Sequence, residues 1–146
     1  MGNTVIARIE QALVQHLALS GGPSAPPRLM AAMGHAVFPG GARIRPQLCV
    51  AVARACGQDA PELTDAAAVA LEFMHCASLV HDDLQDGDAV RRGKPALWTV
   101  YGSGQAVNAG DLLLMLPMLA LDALDESAEL KWTLCHCLAA HGVNTA

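Results

Sequence analysis

Apolar residues recur along the chain at the three- and four-residue spacing of amphipathic helices. Near the N-terminus this spacing predicts one helix, which ends before the Gly21-Gly22 pair because glycine and the following proline interrupt helices. The apolar positions of this helix are Val5, Ile6, Ile9, Leu13 and Leu17. A second helix is predicted around Leu29–Val37, before the sequence Pro39-Gly40-Gly41.

The pattern continues with four more predicted helices. The third runs from about Ile44 to Cys56, with Gly57 as its C-terminal cap. The fourth is the long stretch from Asp65 to about Leu84, which contains neither glycine nor proline and has Thr64 as a candidate N-cap. Two further helices are predicted at Ala106–Leu124, with a kink at Pro117, and at Ser127–His141; no strand pattern is visible.

Length and composition agree with a single helical domain. The 146 residues fall in the range of one domain, and only 3% are aromatic while 53% are hydrophobic, with few strand-forming residues. We therefore predict an all-α fold over residues 1–146. The apolar stretch Leu112–Leu121 has only about half of the ~20 residues that cross a bilayer, and Asp111 and Asp122 bracket it. It is interpreted as a core helix, and no integral membrane segment is predicted.

Charge and cysteine content narrow the functional classes. The formal net charge of −5 provides no basic stripe for phosphate contacts, so nucleic acid is not expected as a partner. The five cysteines form no regular framework, and the opening residues contain no basic-then-apolar signal segment. These features predict a reducing, cytoplasmic setting.

Three carboxylates end the long predicted helix, in the sequence His81-Asp82-Asp83-Leu84-Gln85-Asp86. At about 100° per residue, Asp82 and Asp86 project from one face. Like charges at this spacing destabilise a helix, so the pair favours a bound cation. Hard oxygen ligands suit Mg²⁺, which takes one or two carboxylates together with substrate phosphate. A solvated acidic helix end is the alternative interpretation.

Two pairs of arginines strengthen the phosphate interpretation. Arg91 and Arg92 follow the acidic cluster, and Arg43 and Arg45 follow the Gly40-Gly41 turn. Guanidinium groups can donate in bidentate fashion to phosphate oxygens, and glycine lets the backbone approach an anion. The four arginines are therefore candidate diphosphate ligands. Simple surface solubility is the alternative interpretation, although it does not predict the placement of arginines beside turns.

These motifs together resemble those of the trans-polyprenyl diphosphate synthase family. Gly40-Gly41-Ala42-Arg43-Ile44-Arg45-Pro46 resembles the family sequence Gly-Gly-Lys-Arg-x-Arg-Pro. The segment Glu72–Pro95 is similar to the first aspartate-rich region of the family, and Gly110-Asp111 to the helix that follows it. The resemblance covers most of the chain, points particularly to bacterial geranylgeranyl diphosphate synthases, and implies the N-terminal half of the isoprenoid synthase helical bundle.

The resemblance implies a reaction and a role for each motif residue. Asp82 and Asp86 would bind Mg²⁺ and an allylic diphosphate with Asp83 in support, so these three are the candidate catalytic residues. Arg91 would also hold the allylic diphosphate. Arg45, His75 and Arg92 would hold the diphosphate of isopentenyl diphosphate. The family has a lysine where this chain has Ala42, and Arg43 is the candidate substitute for that lysine. The product would be an all-trans prenyl diphosphate.

Product length in this family depends on side-chain size about one turn before the first aspartate. Ala77 and Ser78 occupy these positions and both are small, which predicts a C20 or longer product. Small residues could also be chosen there by core packing alone.

Family members are roughly twice as long and carry a second aspartate-rich motif, and nothing after Asp125 and Glu126 resembles it. We therefore expect this chain to be inactive or nearly so alone, as a fragment, an early-stop product or a noncatalytic regulatory subunit. A homodimer is expected by resemblance, as are exposed apolar faces. A second enzyme class, a phosphohydrolase with a His81-Asp82 metal pair, would need His35 and Asp122 as further ligands.

Overall fold

The computed structural model describes residues 2–22, 24–58 and 60–145. Within them the chain forms seven α-helices and one short β-hairpin. In chain order the elements are α1 (Gly2–Ser20), α2 (Pro27–Val37), α3 (Ile44–Ala55), α4 (Pro61–Asp86), β1 (Val90–Arg91), β2 (Lys94–Pro95), α5 (Leu97–Tyr101), α6 (Ser103–Asp122) and α7 (Ala128–Thr145). The predicted all-α fold class is confirmed.

Helix α4 is the centre of the bundle. It packs most extensively against α6, and α1, α2, α3 and α5 contact it as well. Its apolar face contributes Val69, Phe73 and Ala77 to the main core, where the α1 residues Ile9 and Leu13 are also fully buried. The apolar spacing in the sequence thus corresponds to the buried faces of α1 and α4.

Three local predictions differ from the structure. Helix α4 begins at Pro61 rather than after Thr64, because proline favours the first helical position. The Thr64 hydroxyl instead donates to the Ala60 carbonyl oxygen at 2.8 Å. Helix α6 begins at Ser103, three residues before the predicted start at Ala106.

A short hairpin, which the sequence pattern did not predict, follows the long helix α4. Its strands pair antiparallel, with Val90 opposite Pro95 and Arg91 opposite Lys94. The two residues between the strands, Arg92 and Gly93, both have positive φ, at 52° and 75°. This geometry matches the right-handed twist of a two-residue hairpin. The hairpin turns the chain back toward the end of α4.

Two helices, α4 and α6, are long and apolar enough to span a membrane. They pack against each other, and Leu113, Leu116 and Leu121 of α6 are buried among other helices. This packing agrees with the interpretation of α6 as a core helix. The other side of α6 exposes Met115, Met118 and Leu119, so the predicted exposed apolar faces are present.

Candidate diphosphate site

The acidic cluster divides into exposed and buried carboxylates at the end of α4. Asp82 and Asp86 are exposed, and neither makes a side-chain hydrogen bond or ion pair with any residue that the structure describes. Asp83 is only 4% exposed and forms an ion pair with Arg91 at 2.5 Å. Asp83 therefore fixes the returning hairpin, whereas Asp82 and Asp86 have free oxygen atoms.

The hairpin also meets the glycine turn that precedes α3. Arg92 Nη1 donates to the Gly40 carbonyl oxygen at 2.6 Å. A Cβ atom at Gly41 would clash with the Arg92 guanidinium, so a larger residue there would require the Arg92 side chain to move. Arg43 and the pair Arg91 and Arg92, which are distant in sequence, line one cleft, and Arg45 lies beside the cleft at His75.

Arg43 and Arg45 have different surroundings although they are two positions apart. Arg45 is exposed, and its Nη1 lies 3.1 Å from His75 Nε2. Arg43 is buried with a side chain only 3% exposed, and it contacts two carboxylates, Glu10 and Glu72. Burial lowers the pKa of Arg43, but the hydrogen bonds with Glu10 and Glu72 outweigh burial and raise the pKa overall. Three of the five N–H donors of Arg43 have protein acceptors, so the predicted diphosphate contact would have to use the other two and stays a prediction.

The cleft carries an excess of positive charge. Four cationic side chains and two carboxylates line it: Arg43, Arg91, Arg92, Lys94, Glu72 and Asp83. Both carboxylates are paired, Glu72 with Arg43 and Asp83 with Arg91. Among the described residues no carboxylate pairs with Arg92, Lys94 or the neighbouring Arg45. Such an arrangement attracts a polyanion.

The pKa of His75 responds to the positive charges in and beside this cleft. Its pKa is lowered from the ordinary 6.5, first by burial and then by the charge of Arg45, with smaller contributions in the same direction from Arg92 and Arg91. Glu72 acts in the opposite direction. A neutral imidazole can accept a hydrogen bond from Arg45 and still leave its other ring nitrogen to donate. The predicted ligands His75, Arg45 and Arg92 are therefore close together.

The exposed acidic pair fits a magnesium ion. Asp82 and Asp86 offer oxygen atoms one helical turn apart, and Mg²⁺ completes its shell with water and substrate phosphate rather than with an all-protein cage. Within residues 2–22, 24–58 and 60–145, no group of three His, Cys, Asp or Glu side chains could hold a metal. A site of two carboxylates therefore needs a ligand such as a diphosphate to complete it.

The alternative phosphohydrolase site finds no support in the described residues, where its histidines and aspartates form no group of three metal ligands. His35 Nε2 contacts the Pro95 carbonyl oxygen at 3.0 Å, and His81 Nε2 lies 3.4 Å from Asp111. Asp122 lies at the end of α6 beside Lys131.

The two chain-length candidates lie in different environments. Ala77 is fully buried in the main core. Ser78 is exposed, one turn before Asp82, and its hydroxyl donates to the His75 carbonyl oxygen at 2.9 Å. A larger side chain at position 77 would therefore have to displace core atoms, whereas one at position 78 would extend outward.

Sequence reasoning missed the partners of Arg43. Glu72 is buried at 4% exposure on the cleft side of α4, and Glu10 approaches from α1. One signal was available, since Glu72 is the only charged residue between Asp65 and His81, in an otherwise apolar part of a long helix. A lone charge at such a position is usually buried with a partner.

Comparison with known proteins identifies the family. The polyprenyl synthetase family profile matches residues 26–141. A geranylgeranyl diphosphate synthase of Rhodobacter capsulatus is 59% identical over 110 residues, which cover 74% of this chain and 38% of the relative. The small subunit of a heterodimeric geranylgeranyl pyrophosphate synthase from Arabidopsis thaliana is 43% identical over 116 residues, or 77% of this chain and 34% of the relative.

A solved structure shows the same fold. The geranylgeranyl pyrophosphate synthetase of Pyrococcus horikoshii superposes with a TM-score of 0.81 at 30% identity, over 96% of this chain and 43% of that one. The chain thus spans less than half the length of each of these three proteins. Because the family profile covers most of the sequence, this chain belongs to the polyprenyl synthetase family.

Proposed function

We propose that this chain supplies the first diphosphate and magnesium site of a prenyl diphosphate synthase. The reaction would join an allylic diphosphate to isopentenyl diphosphate and give an all-trans prenyl diphosphate of C20 or longer. The observation that carries the proposal is a cleft lined by Arg92 and Lys94, with Arg45 beside it at His75, at the end of α4 where Asp82 and Asp86 are exposed. None of these five side chains is paired with an opposite charge among the described residues. A magnesium diphosphate complex would neutralise both groups.

The acidic pair would hold the metal end of the ligand. Bound Mg²⁺ would neutralise charge on the departing allylic diphosphate. Asp82 and Asp86 would hold that ion, and Asp83 would act indirectly by orienting Arg91 through their ion pair. One edge of the Arg91 guanidinium would then remain free for an allylic diphosphate oxygen.

Arg45, His75 and Arg92 would bind the diphosphate of isopentenyl diphosphate. They lie together, and His75 is neutral over most of the physiological pH range because its pKa is lowered by burial and by Arg45. Ala42 occupies the position of the family lysine, and Arg43 is engaged with Glu72, so Lys94 of the cleft lining would be the additional cation. We expect this second diphosphate to bind more weakly than the allylic one.

The remaining steps need a closed apolar chamber. Carbocation chemistry requires exclusion of water, and an apolar helical interior meets that requirement only when it is covered. Asp82, Asp86 and Ser78 are all exposed here. We therefore propose that the chain alone has little or no activity and works in the cytoplasm with the helices that its longer relatives contain, as part of a dimer.

The test is a magnesium-dependent elongation assay with geranyl or farnesyl diphosphate and labelled isopentenyl diphosphate. The chain would be assayed alone and with the part of the Rhodobacter capsulatus relative that it does not match. We expect turnover only in the mixture and only with Mg²⁺. Lack of turnover in a mixture that forms a stable complex would contradict the proposal.

Product length is tested in the same reconstituted enzyme. If Ala77 and Ser78 set the length, Ala77→Phe or Ser78→Phe shortens the product. Since Ala77 is buried, its variant must first retain the helical circular dichroism and melting behaviour of the parent. Unchanged product length in folded variants of both positions would contradict this assignment.

A second candidate function is that of a noncatalytic subunit. Two observations favour it: the lysine-to-alanine change at Ala42 and the 43% identity to a small subunit of a heterodimeric synthase. Adding this chain to a full-length geranylgeranyl diphosphate synthase would then change its product ratio without contributing turnover. An Asp82→Asn variant would be equally effective in that role, which separates it from the catalytic proposal.

A further inference from the structure

Arg43 joins three helices through one buried guanidinium. Its Nε donates to Glu10 of α1 and its Nη1 to Glu72 of α4, each at 2.6 Å. Its Nη2 donates to the carbonyl oxygen of Val37 at the end of α2, at 2.7 Å. Each guanidinium nitrogen therefore has a protein acceptor.

The backbone at Arg43 is also unusual. Arg43 has φ of 47° and ψ of 41°, in the left-handed region that costs free energy for a residue with a Cβ atom. The side-chain bonds to three elements hold the residue in this conformation. In the structure, Arg43 is the N-cap of α3, so its backbone geometry sets the direction in which α3 and Arg45 leave the turn.

The consequences of that direction are visible on both sides of Arg43. Two residues later, Arg45 reaches His75, which lies one turn along α4 from the Arg43 partner Glu72. Three residues earlier, the carbonyl oxygen of Gly40 accepts from Arg92. The loop therefore has one buried attachment and two exposed contacts, and both exposed contacts involve candidate diphosphate ligands.

We propose that Arg43 is a positioning residue that holds residues 40–45, the loop and the start of α3, so that Arg45 and Arg92 converge on the diphosphate. This role rests on the proposed function of the cleft. It differs from a ligand role, because Arg43 would act without touching the substrate. It also differs from a purely stabilising role, because its loss would change the geometry at His75 in molecules that remain folded.

The variant Arg43→Lys tests this proposal while keeping the positive charge. A lysine ammonium cannot reproduce the planar fork that meets Glu10, Glu72 and the Val37 carbonyl together. We expect the loop to relax, Arg45 to leave His75, and the His75 pKa to rise toward its ordinary 6.5. The readouts are the imidazole titration of His75 by NMR and calorimetric binding of inorganic pyrophosphate with Mg²⁺. Pyrophosphate affinity should fall about tenfold, the effect of releasing one charged hydrogen-bond donor.

A matched control exists on the same helix pair. Arg8 Nε and Nη2 donate to the two oxygens of Asp65, also joining α1 to α4, but at the other end of α4. Arg8→Lys should lower the melting temperature while leaving the His75 titration and pyrophosphate affinity unchanged. His16 on α1 serves as an internal reference, since its pKa is lowered by burial and should be the same in every variant.

The possible results separate clearly. A folded Arg43→Lys protein with an unchanged His75 titration, or an equal change in Arg8→Lys, would overturn the positioning role. If Arg43→Lys does not fold, Glu10→Gln decides, because the Glu10 side chain is 39% exposed and its loss leaves the Glu72 pair in place. We expect the His75 pKa to change in the same direction in Glu10→Gln. An unchanged His75 pKa in that variant would overturn the positioning role. If the unsubstituted chain binds no pyrophosphate, the proposed function fails while the titration still decides this inference.

Discussion

The two ends of helix α4 treat charge in opposite ways. Near its beginning, Asp65 forms a two-bond ion pair with Arg8, at 2.8 and 2.6 Å. At its end, Asp82 and Asp86 have no side-chain partner among the described residues, and the adjacent cleft has cations that no carboxylate neutralises. We call the beginning of α4 the closed end, because the charge of Asp65 is paired, and its other end the open end, because Asp82 and Asp86 are not paired.

This difference distinguishes charged residues that stabilise the fold from charged residues that we propose bind a ligand. Paired charges contribute modestly to stability, whereas unpaired like charges one turn apart cost free energy in the isolated chain. The Arg43 and Glu72 pair lies between the two ends and is buried. The charges of this pair neutralise each other, as at the closed end, but in our proposal the pair positions ligand-binding residues of the open end.

The largest expected effect on ligand binding is at the open end. Replacing Asp82 and Asp86 together with asparagine should weaken magnesium-dependent pyrophosphate binding about 100-fold, because two charged contacts are lost. The free energy of unfolding should rise by a few tenths of a kcal/mol, since the repulsion is removed. Calorimetry and urea denaturation measure the two quantities.

Asp65→Asn is the control at the closed end, with the reverse pattern. It should lower the free energy of unfolding by up to about 1 kcal/mol and leave binding intact. If the two substitutions weakened binding equally, the distinction between the ends would be wrong.

The largest expected effect on the free energy of unfolding is at the buried pair of Arg43 and Glu72. Glu72→Ala leaves Arg43 partly unpaired in the interior and should lower the free energy of unfolding by about 3–5 kcal/mol. Glu62→Ala, at an exposed position in the first turn of the same helix, should change it by less than about 0.5 kcal/mol. Denaturant titrations followed by circular dichroism give both values, and comparable losses would contradict the importance of the buried pair.

A smaller effect is expected at the contact between the end of α4 and α6. A Cβ atom at Gly110 would collide with the His81 imidazole, so Gly110→Ala should cost about 1–3 kcal/mol. Gly34→Ala in α2 meets nothing within 4 Å and should instead stabilise by up to about 1 kcal/mol. Thermal denaturation of both variants tests the close approach, and stabilisation by both would refute it.

The smallest effect is a dependence of stability on pH. The pKa values of His16 and His75 are lowered from 6.5 in the folded chain, in both cases chiefly by burial. Below 6.5 the unfolded chain therefore binds protons that the folded chain does not, and stability falls as pH decreases toward the lowered values. Urea denaturation at about pH 7.5 and about pH 5.5 should show this loss, and a variant with both histidines replaced by glutamine should show less of it. An equal loss in that variant would assign the effect to other groups.

Much of the fold follows from the sequence because α1, α2 and α3 each combine an apolar stripe with a glycine or proline stop. The predicted start of α4 was wrong because Thr64 resembles a helix N-cap. In the structure the helix begins at Pro61, and the Thr64 hydroxyl donates to the carbonyl oxygen of Ala60. The hairpin was missed because its strands have two residues each, too few for an alternating pattern, and its turn uses Arg92-Gly93 rather than the common Asn-Gly.

The site was predictable to the extent that it is local in sequence. The spacing of Asp82 and Asp86 already indicated one exposed face. The burial of Arg43 was not predictable in this way, because it depends on Glu10, 33 positions away, and on Glu72, 29 positions away. The same holds for Asp83, whose pairing with Arg91 requires the unpredicted hairpin.

The most direct test of the open end uses Mn²⁺ in place of Mg²⁺ with geranyl diphosphate, because the paramagnetic ion broadens nearby NMR signals. The backbone amides of Asp82–Gly87 and of Arg91 should broaden only when the diphosphate is present, while those of the first two turns of α4 remain sharp. Broadening elsewhere, for example at Asp122–Glu126, or equal broadening without the diphosphate, would contradict the proposal that this end of α4 binds a metal diphosphate complex.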